Sequence, residues 1–309
     1  SASTRRLPLT LAAQPCRVRC APPGWVGDPF IAPHDTFCRT QAMRWLRGIW
    51  RLAHIAALLG RGNWRIRRQF GQMSPAQRAQ AVEQWSRDML KALGVALHSQ
   101  GDVPTHGPVL MVCNHVTWLD ILVLHACSHA RFVAKSEVHH WPLIGPMAAA
   151  AGTLFIERAS RRDAMRVVHQ MVEVLQAGEV LAVFPEGTTS DGLQLLPFHA
   201  NLIQAAISAN APVLPTALRY VDARSGKTSQ AVSFVGDESL VDSLWRTACA
   251  SGLQVHVAWG QPELDAGRDR RTWAKDLHQQ VHALWVGLGA SPLGTETASH
   301  PAPPVKPWA

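Results

Sequence analysis

The residues best placed to do chemistry are His115 and Asp120, in the run Asn114-His-Val-Thr-Trp-Leu-Asp120. An imidazole titrates near neutrality, with an unperturbed pKa of about 6.5, so it can take a proton from a hydroxyl and hand it on. A neighbouring carboxylate fixes the ring's tautomer and stabilises the imidazolium that forms. The preceding hydrophobic run, Pro108-Val-Leu-Met-Val-Cys113, reads as a buried strand, and 118–127 reads as the helix that follows. Five positions is not a helical contact spacing, because side chains on one helix meet at three and four. The spacing therefore predicts His115 just ahead of the helix, with Asp120 in its first turns reaching back. A strand-to-helix hand-over at the carboxyl edge is where open α/β sheets expose their sites.

Three further stretches accompany this pair. In Gly152-Thr-Leu-Phe-Ile-Glu-Arg158 a strand ends on a guanidinium, which can fork onto phosphate oxygens. In Val183-Phe-Pro-Glu-Gly-Thr-Thr-Ser190 a strand is stopped by Pro185 and turned at Gly187. Glu186 then hangs at the same edge as His115, and Thr188, Thr189 and Ser190 offer hydroxyls and amides to oxyanions. Ala211-Pro-Val-Leu-Pro-Thr216 is a strand bracketed by prolines and reads as support for the site.

Alternating elements must position these residues. Strands are expected near 95–99, 109–113, 131–134, 153–156, 180–184, 213–219, 231–235 and 253–259. Helices are expected near 118–127, 139–150, 161–177, 200–209, 239–249 and 270–286. This predicts an α/β domain over 95–289, with a mostly buried mixed sheet flanked by helices. Residues 1–42 show no period and are expected to be a disordered leader, or upstream sequence ahead of a start at Met43. The Pro-, Ser- and Thr-rich end, 290–309, is expected to be loose.

Between them, 43–94 is expected to form an amphipathic two-helix segment. Ser74-Pro75 opens its second helix and Gly94 closes it. In the first, Arg44, Arg47, Arg51 and His54 share one face, and Trp45, Leu46, Ile49, Leu52, Ala53, Ala56 and Leu59 fill the other. Between Arg39 and Arg68 stand eight Arg and no acid. This pattern describes a helix lying in a membrane interface, with its basic face on anionic headgroups. A spanning helix would need about 20 largely uncharged residues.

The four stretches, taken in order over about 95–220, resemble the glycerolipid acyltransferases of the lysophosphatidic acid acyltransferase type. The first motif of that family, Asn-His-x4-Asp, is matched at 114–120; the second, Gly-x-x-Phe-Ile-(Asp/Glu)-Arg, at 152–158. The third, Phe-Pro-Glu-Gly-Thr, is matched at 184–188, and the fourth, a proline-bracketed aliphatic strand, at 212–215. The resemblance implies direct acyl transfer from acyl-CoA or acyl-carrier protein to the hydroxyl of a lysophospholipid, most simply 1-acyl-sn-glycerol 3-phosphate. It implies His115 as general base, Asp120 as its orienting partner, and Gly152, Arg158, Glu186, Gly187 and Thr188 as acceptor-binding residues. No metal and no cofactor beyond the thioester co-substrate is expected. Two departures stand out. Many members carry Arg after the Gly-Thr of the third motif, where this chain has Thr189. Many also have a Phe-Lys-x-Gly-like run, where this chain has Phe198-His-Ala-Asn201. The form Glu-Gly-Thr-Thr-Ser-Asp-Gly resembles members that acylate lyso-ornithine lipid, which is the rival acceptor.

Composition narrows the field. A net charge of +8 and a pI of about 9.7 favour acidic partners. Arginines gathered on a helix with an apolar back suit a lipid surface better than nucleic acid. A non-catalytic basic membrane-binding protein is the alternative of another class. The six cysteines form no Cys-x-x-Cys pair, which fits a reduced protein on the cytoplasmic face of the cell membrane. Neither a Gly-x-Ser-x-Gly elbow nor a P-loop occurs. His125/His129 and His278/His282 have zinc-like spacing but no third ligand in reach.

Overall fold

The structure, a computed structural model, describes residues 33–157 and 161–290. The leader through residue 32, the tail from 291 and Arg158 lie outside the described residues. The chain divides into two units, Ser1–Ala42, of which residues 33–42 are described, and Met43–Ala309. Helix α1 already begins at Pro33 and runs to Gln69, so the leader expected over 1–42 is helical in its last part.

Helix α2, Pro75–Leu93, starts as its sequence dictates. The Ser74 hydroxyl accepts from the Gln77 N–H and the Gln77 side chain accepts from the Ser74 N–H, a reciprocal cap. It ends at Gly94, whose φ of 69° is left-handed. Met89, Leu90, Ala92 and Leu93 enter the same core as Ile55 and Leu58 of α1 and the sheet behind them. The two-helix segment and the α/β body therefore share one core.

Seven strands make one sheet in the order β1-β7-β6-β2-β5-β3-β4. They are β1 Val95–Gln100, β2 Val109–Cys113, β3 Arg131–Lys135, β4 Leu154–Ile156, β5 Val180–Val183, β6 Val213–Asp222 and β7 Leu253–Trp259. All neighbours are parallel except β6 and β7. β2 lies between β5 and β6 and is buried at every residue, which is why its sequence is continuously apolar. Its side chains still alternate. Val109, Met111 and Cys113 join the core under α2 and α3 (Leu119–Cys127); Leu110 and Val112 join the core under α6 (Arg161–Gln176), α7 (Gln204–Ala209) and Trp273. Trp273 belongs to the long helix α9, Arg270–Gly287.

Two expectations are corrected. The helix foreseen over 139–150 is two, α4 Ser136–His139 and α5 Ile144–Ala150, parted at Pro142 and by Leu143 at φ 66°. The strand foreseen at 231–235 does not form. β2 pairs β6 only over Val213–Thr216, and β7 pairs it over Thr216–Asp222. Beyond β2, the free edge of β6 is taken by the Asn114 side chain at Leu218 and by residues 227–229 at Tyr220 and Asp222. The carbonyls of Ala231 and Ser233 instead accept from Arg246 on α8 (Leu240–Cys249), and the Phe234 N–H donates to the Val116 carbonyl at 3.3 Å.

The first helix is also turned the other way from the expected pose. Arg51 donates to the Ala248 and Ala250 carbonyls at 3.1 and 2.6 Å, and Arg47 to that of Cys249 at 3.4 Å. These are orphan carbonyls at the C-terminus of α8, where a cation is favoured. Part of the arginine face is thus spent on the protein. Trp45, Leu46 and Ile49 of the apolar face stand out, as do Trp50 and Trp64, with Trp50 65% exposed. Among the described residues, no helix is long and apolar enough to cross a membrane.

Candidate active site

β2 ends at Cys113, and Asn114 lets the chain leave the sheet. Its amide donates to the Leu218 carbonyl at 3.0 Å and accepts from the Leu218 N–H at 2.8 Å. A side chain thus takes over the backbone pairing of β6, and the main chain is free to turn.

His115 follows, and its backbone is held on both sides. Its N–H donates to Glu186 Oε1 at 3.0 Å and its carbonyl accepts from the Ser190 N–H at 2.8 Å. The ring stacks on Phe184, with centroids 4.0 Å apart and planes at 9°. Asp120, the second residue of α3, reaches back as the spacing foresaw. Its Oδ2 accepts from His115 Nδ1 at 2.7 Å, from the Val116 N–H at 2.7 Å and from the Thr117 N–H at 3.0 Å. Three donors on one oxygen satisfy a carboxylate that is 0% exposed. The His115 side chain keeps 17% exposure, so a substrate can reach the ring. With Nδ1 donating to Asp120, Nε2 is the basic nitrogen.

The third stretch lies beside the first, because β5 pairs with β2. The turn at 184–187 closes with the Gly187 N–H donating to the Phe184 carbonyl at 3.1 Å, and Gly187 sits at φ 71°. Glu186, expected to face the acceptor, points into the protein. It is 2% exposed, and both oxygens are occupied: Oε1 by the His115 N–H, Oε2 by the Leu196 N–H at 3.3 Å. Burial pushes its carboxyl up to about 8 against the two N–H donors that pull it down, and the nearby Asp120 adds to the rise. Gly187 and Thr188 remain half-buried on the rim. The Thr189 hydroxyl donates to the Phe234 carbonyl.

Gly152 also falls away from the pocket. It precedes β4 at φ 80°, and a Cβ there would come within 2.5 Å of Arg131 Nε, at the start of β3. Since β2, β5, β3 and β4 run parallel, this is the amino edge of the sheet, opposite His115. Its work is to let the chain pass Arg131. The same strand ends at Ile156 and delivers the exposed Glu157 to the carboxyl edge.

Sequence reasoning missed Tyr220 on β6, whose hydroxyl donates to Asp120 Oδ1 at 2.8 Å. The signal that could have found it was its rarity: it is the chain's one tyrosine, and a buried phenol needs a partner. The paired histidines stay apart from this chemistry. His125 is buried and driven down to about 3, mainly by desolvation. Among the described residues, no three metal-ligating side chains converge.

A half-buried imidazole steered through one nitrogen by a buried acid is the equipment of enzymes that activate a hydroxyl. The comparisons give that class a family. The acyltransferase family profile matches residues 94–219. A 1-acyl-sn-glycerol-3-phosphate acyltransferase of Neisseria meningitidis is 42% identical over 184 residues, 59% of this chain and 71% of that one. A lyso-ornithine lipid O-acyltransferase of Pseudomonas aeruginosa is 34% identical over 257 residues, 82% of this chain and 97% of that one. The crystal structure of the 1-acyl-sn-glycerophosphate acyltransferase PlsC of Thermotoga maritima matches with a TM-score of 0.63 at 19% identity, over 82% of this chain and 98% of that one. That likeness is one of fold. The chain belongs to the acyltransferase family.

Proposed function

We propose that this enzyme moves a fatty acyl group from an acyl thioester, acyl-CoA or acyl-carrier protein, to the hydroxyl of a lysophospholipid. The observation that carries the reading is the 2.7 Å bond from His115 Nδ1 to a fully buried Asp120. His115 Nε2 takes the proton as the acceptor oxygen attacks the thioester carbonyl. The tetrahedral intermediate then expels a thiolate, which recovers the proton from the imidazolium. General-base help of this kind is worth roughly 10²–10⁴ in rate. The remainder must come from positioning and from stabilising the oxyanion.

The Neisseria relative names 1-acyl-sn-glycerol 3-phosphate as the acceptor we assign first. A second reading, a lyso-ornithine lipid, has a specific ground. From Phe184 to Asn201 the chain holds neither Lys nor Arg, and the Thr189 side chain is engaged with Phe234. The Pseudomonas relative, matched over 97% of its own length, is of that kind. We place the enzyme on the cytoplasmic face of the cell membrane, peripherally attached through the apolar face of α1, where both acceptors reside.

The test is release of free thiol from acyl-CoA on addition of each lyso-lipid in turn. Thiol release that vanishes in His115→Ala supports the reading, and the faster acceptor identifies the head group. Lipid binding without turnover from any thioester and either acceptor would instead favour a non-catalytic binding protein.

A further inference from the structure

We infer that Tyr220 is a positioning residue for the reaction: by donating to Asp120 Oδ1 it sets how strongly that carboxylate draws on the His115 ring. The inference rests on the general-base reading above and adds a control on it from β6.

The geometry divides the labour on Asp120. Oδ2 faces His115 Nδ1 and two backbone N–H groups, all within five residues of chain. Oδ1 faces a hydroxyl contributed 100 positions away, at 2.8 Å. Tyr220 is 1% exposed, so water cannot stand in for that hydroxyl. The phenol is a fixed donor. Burial and the carboxylate beside it push its ionisation well above the ordinary tyrosine value. A donor on one carboxylate oxygen lowers the proton affinity of the whole group. Asp120 is then a firm but moderate partner: it orients the imidazole without holding the transferred proton too tightly. Removing the hydroxyl makes Asp120 more basic, so the imidazolium is better stabilised and the free base is scarcer at a given acid pH.

The other titratable groups facing this pair come from two further elements. Cys113 ends β2; desolvation, Asp120 and Glu186 push its thiol well up, so it stays protonated. Glu186 follows β5 and is pushed up to about 8, mainly by burial. Neither changes charge in the direction or pH range of an acid limb below neutrality.

The experiment measures kcat/KM against pH for the full chain with two opposite perturbations. Tyr220→Phe keeps the ring and removes the donor. Growth on 3-fluorotyrosine makes the phenol a stronger donor, and because the chain has one tyrosine the label falls on Tyr220 alone. The acid limb should move up by about half a pH unit in Tyr220→Phe and down in the fluorinated enzyme. A role in packing alone would leave both limbs on the wild-type curve, and that result overturns the inference. Should Tyr220→Phe fold poorly, the fluorinated enzyme decides alone: its ¹⁹F signal should titrate with the limb and cease to do so in His115→Ala. Activity retained by His115→Ala would count against the general-base reading itself, a different failure.

Discussion

Glu186→Gln separates a structural acid from a substrate ligand. The wild-type carboxyl is 2% exposed and pushed up to about 8 by desolvation, against the ordinary 4.5 of an exposed glutamate. Because its folded pKa lies above its unfolded one, the fold favours the neutral acid. That stabilisation is complete below about pH 4.5 and is lost as the pH rises through about 8. A tenfold change in proton affinity is worth about 1.4 kcal/mol, so the wild type loses on the order of a few kcal/mol across this window. Glutamine cannot ionise and removes this slope. It also carries only one acceptor oxygen. Leu196 is the longer contact, 3.3 Å against 3.0 Å to His115, so the amide oxygen stays on His115 and the Leu196 bond is lost. That costs about 1 kcal/mol.

The two stability curves should therefore cross. Urea denaturation at intervals from about pH 5 to pH 9 should find Glu186→Gln about 1 kcal/mol less stable at the acid end and more stable at the alkaline end. Its KM for the lyso-lipid should hold within about twofold, since Glu186 faces the His115 backbone and not the acceptor. Parallel curves would refute the burial argument, and a large rise in KM with unchanged kcat would return Glu186 to the head group.

Leu46→Asp with Ile49→Asp should cut vesicle affinity by roughly thirty- to several-hundredfold, as two exposed aliphatic side chains are worth about 1–2 kcal/mol each on burial in lipid; unchanged pelleting would show that this face does not meet the bilayer. Arg51→Ala should instead lower the urea midpoint and leave vesicle binding by the folded protein in place, because its guanidinium is spent on α8. Gly94→Ala should cost about 1–3 kcal/mol: φ is 69°, and a Cβ would fall 1.9 Å from Arg51 Nη2, which its bonds to Ala248 and Ala250 hold in place. A loss under about 0.5 kcal/mol would mean that Arg51 yields freely.

What could be read in advance was whatever depends on chain-local geometry. The Ser74 cap, the Gly94 stop and the backward reach of Asp120 follow from spacing and residue type. So do β2 and β5, because buried parallel strands leave continuous apolar runs. Direction was harder. A helical wheel shows that α1 has two faces but not which one the protein claims. Gly48 was the unused clue: it shares the side of Arg47 and Arg51, and a Cβ there would meet Cys249 Sγ at 2.6 Å and the Trp245 ring at 2.9 Å. A gap that small marks the packed side, and Ile55 and Leu58 lie along it. The strand expected at 231–235 failed for non-local reasons: the edge of β6 beyond β2 is taken by the Asn114 side chain and residues 227–229, and Arg246 claims the Ala231 and Ser233 carbonyls. Tyr220 could be singled out as the one tyrosine, but its partner could not, because nothing local ties it to Asp120.

The same division explains the site. Of the side chains in the first and third stretches, His115 is the one assigned to meet a reacting atom. Asn114 closes the β6 ladder, Asp120 gathers the turn, Glu186 and Ser190 hold the His115 backbone at its N–H and carbonyl, and Phe184 backs its ring. So many fixed bonds around one residue leave the imidazole a single orientation, which is what a general base needs to work without induced rearrangement. Recognition of the acceptor is then expected from groups outside this scaffold, among them Thr188 on the rim beyond Gly187 and the residues at the carboxyl end of β4. A head-group preference is therefore expected to change with substitutions at this rim while kcat for the preferred acceptor holds, whereas substitutions at Asn114 or Glu186 should act on kcat alone.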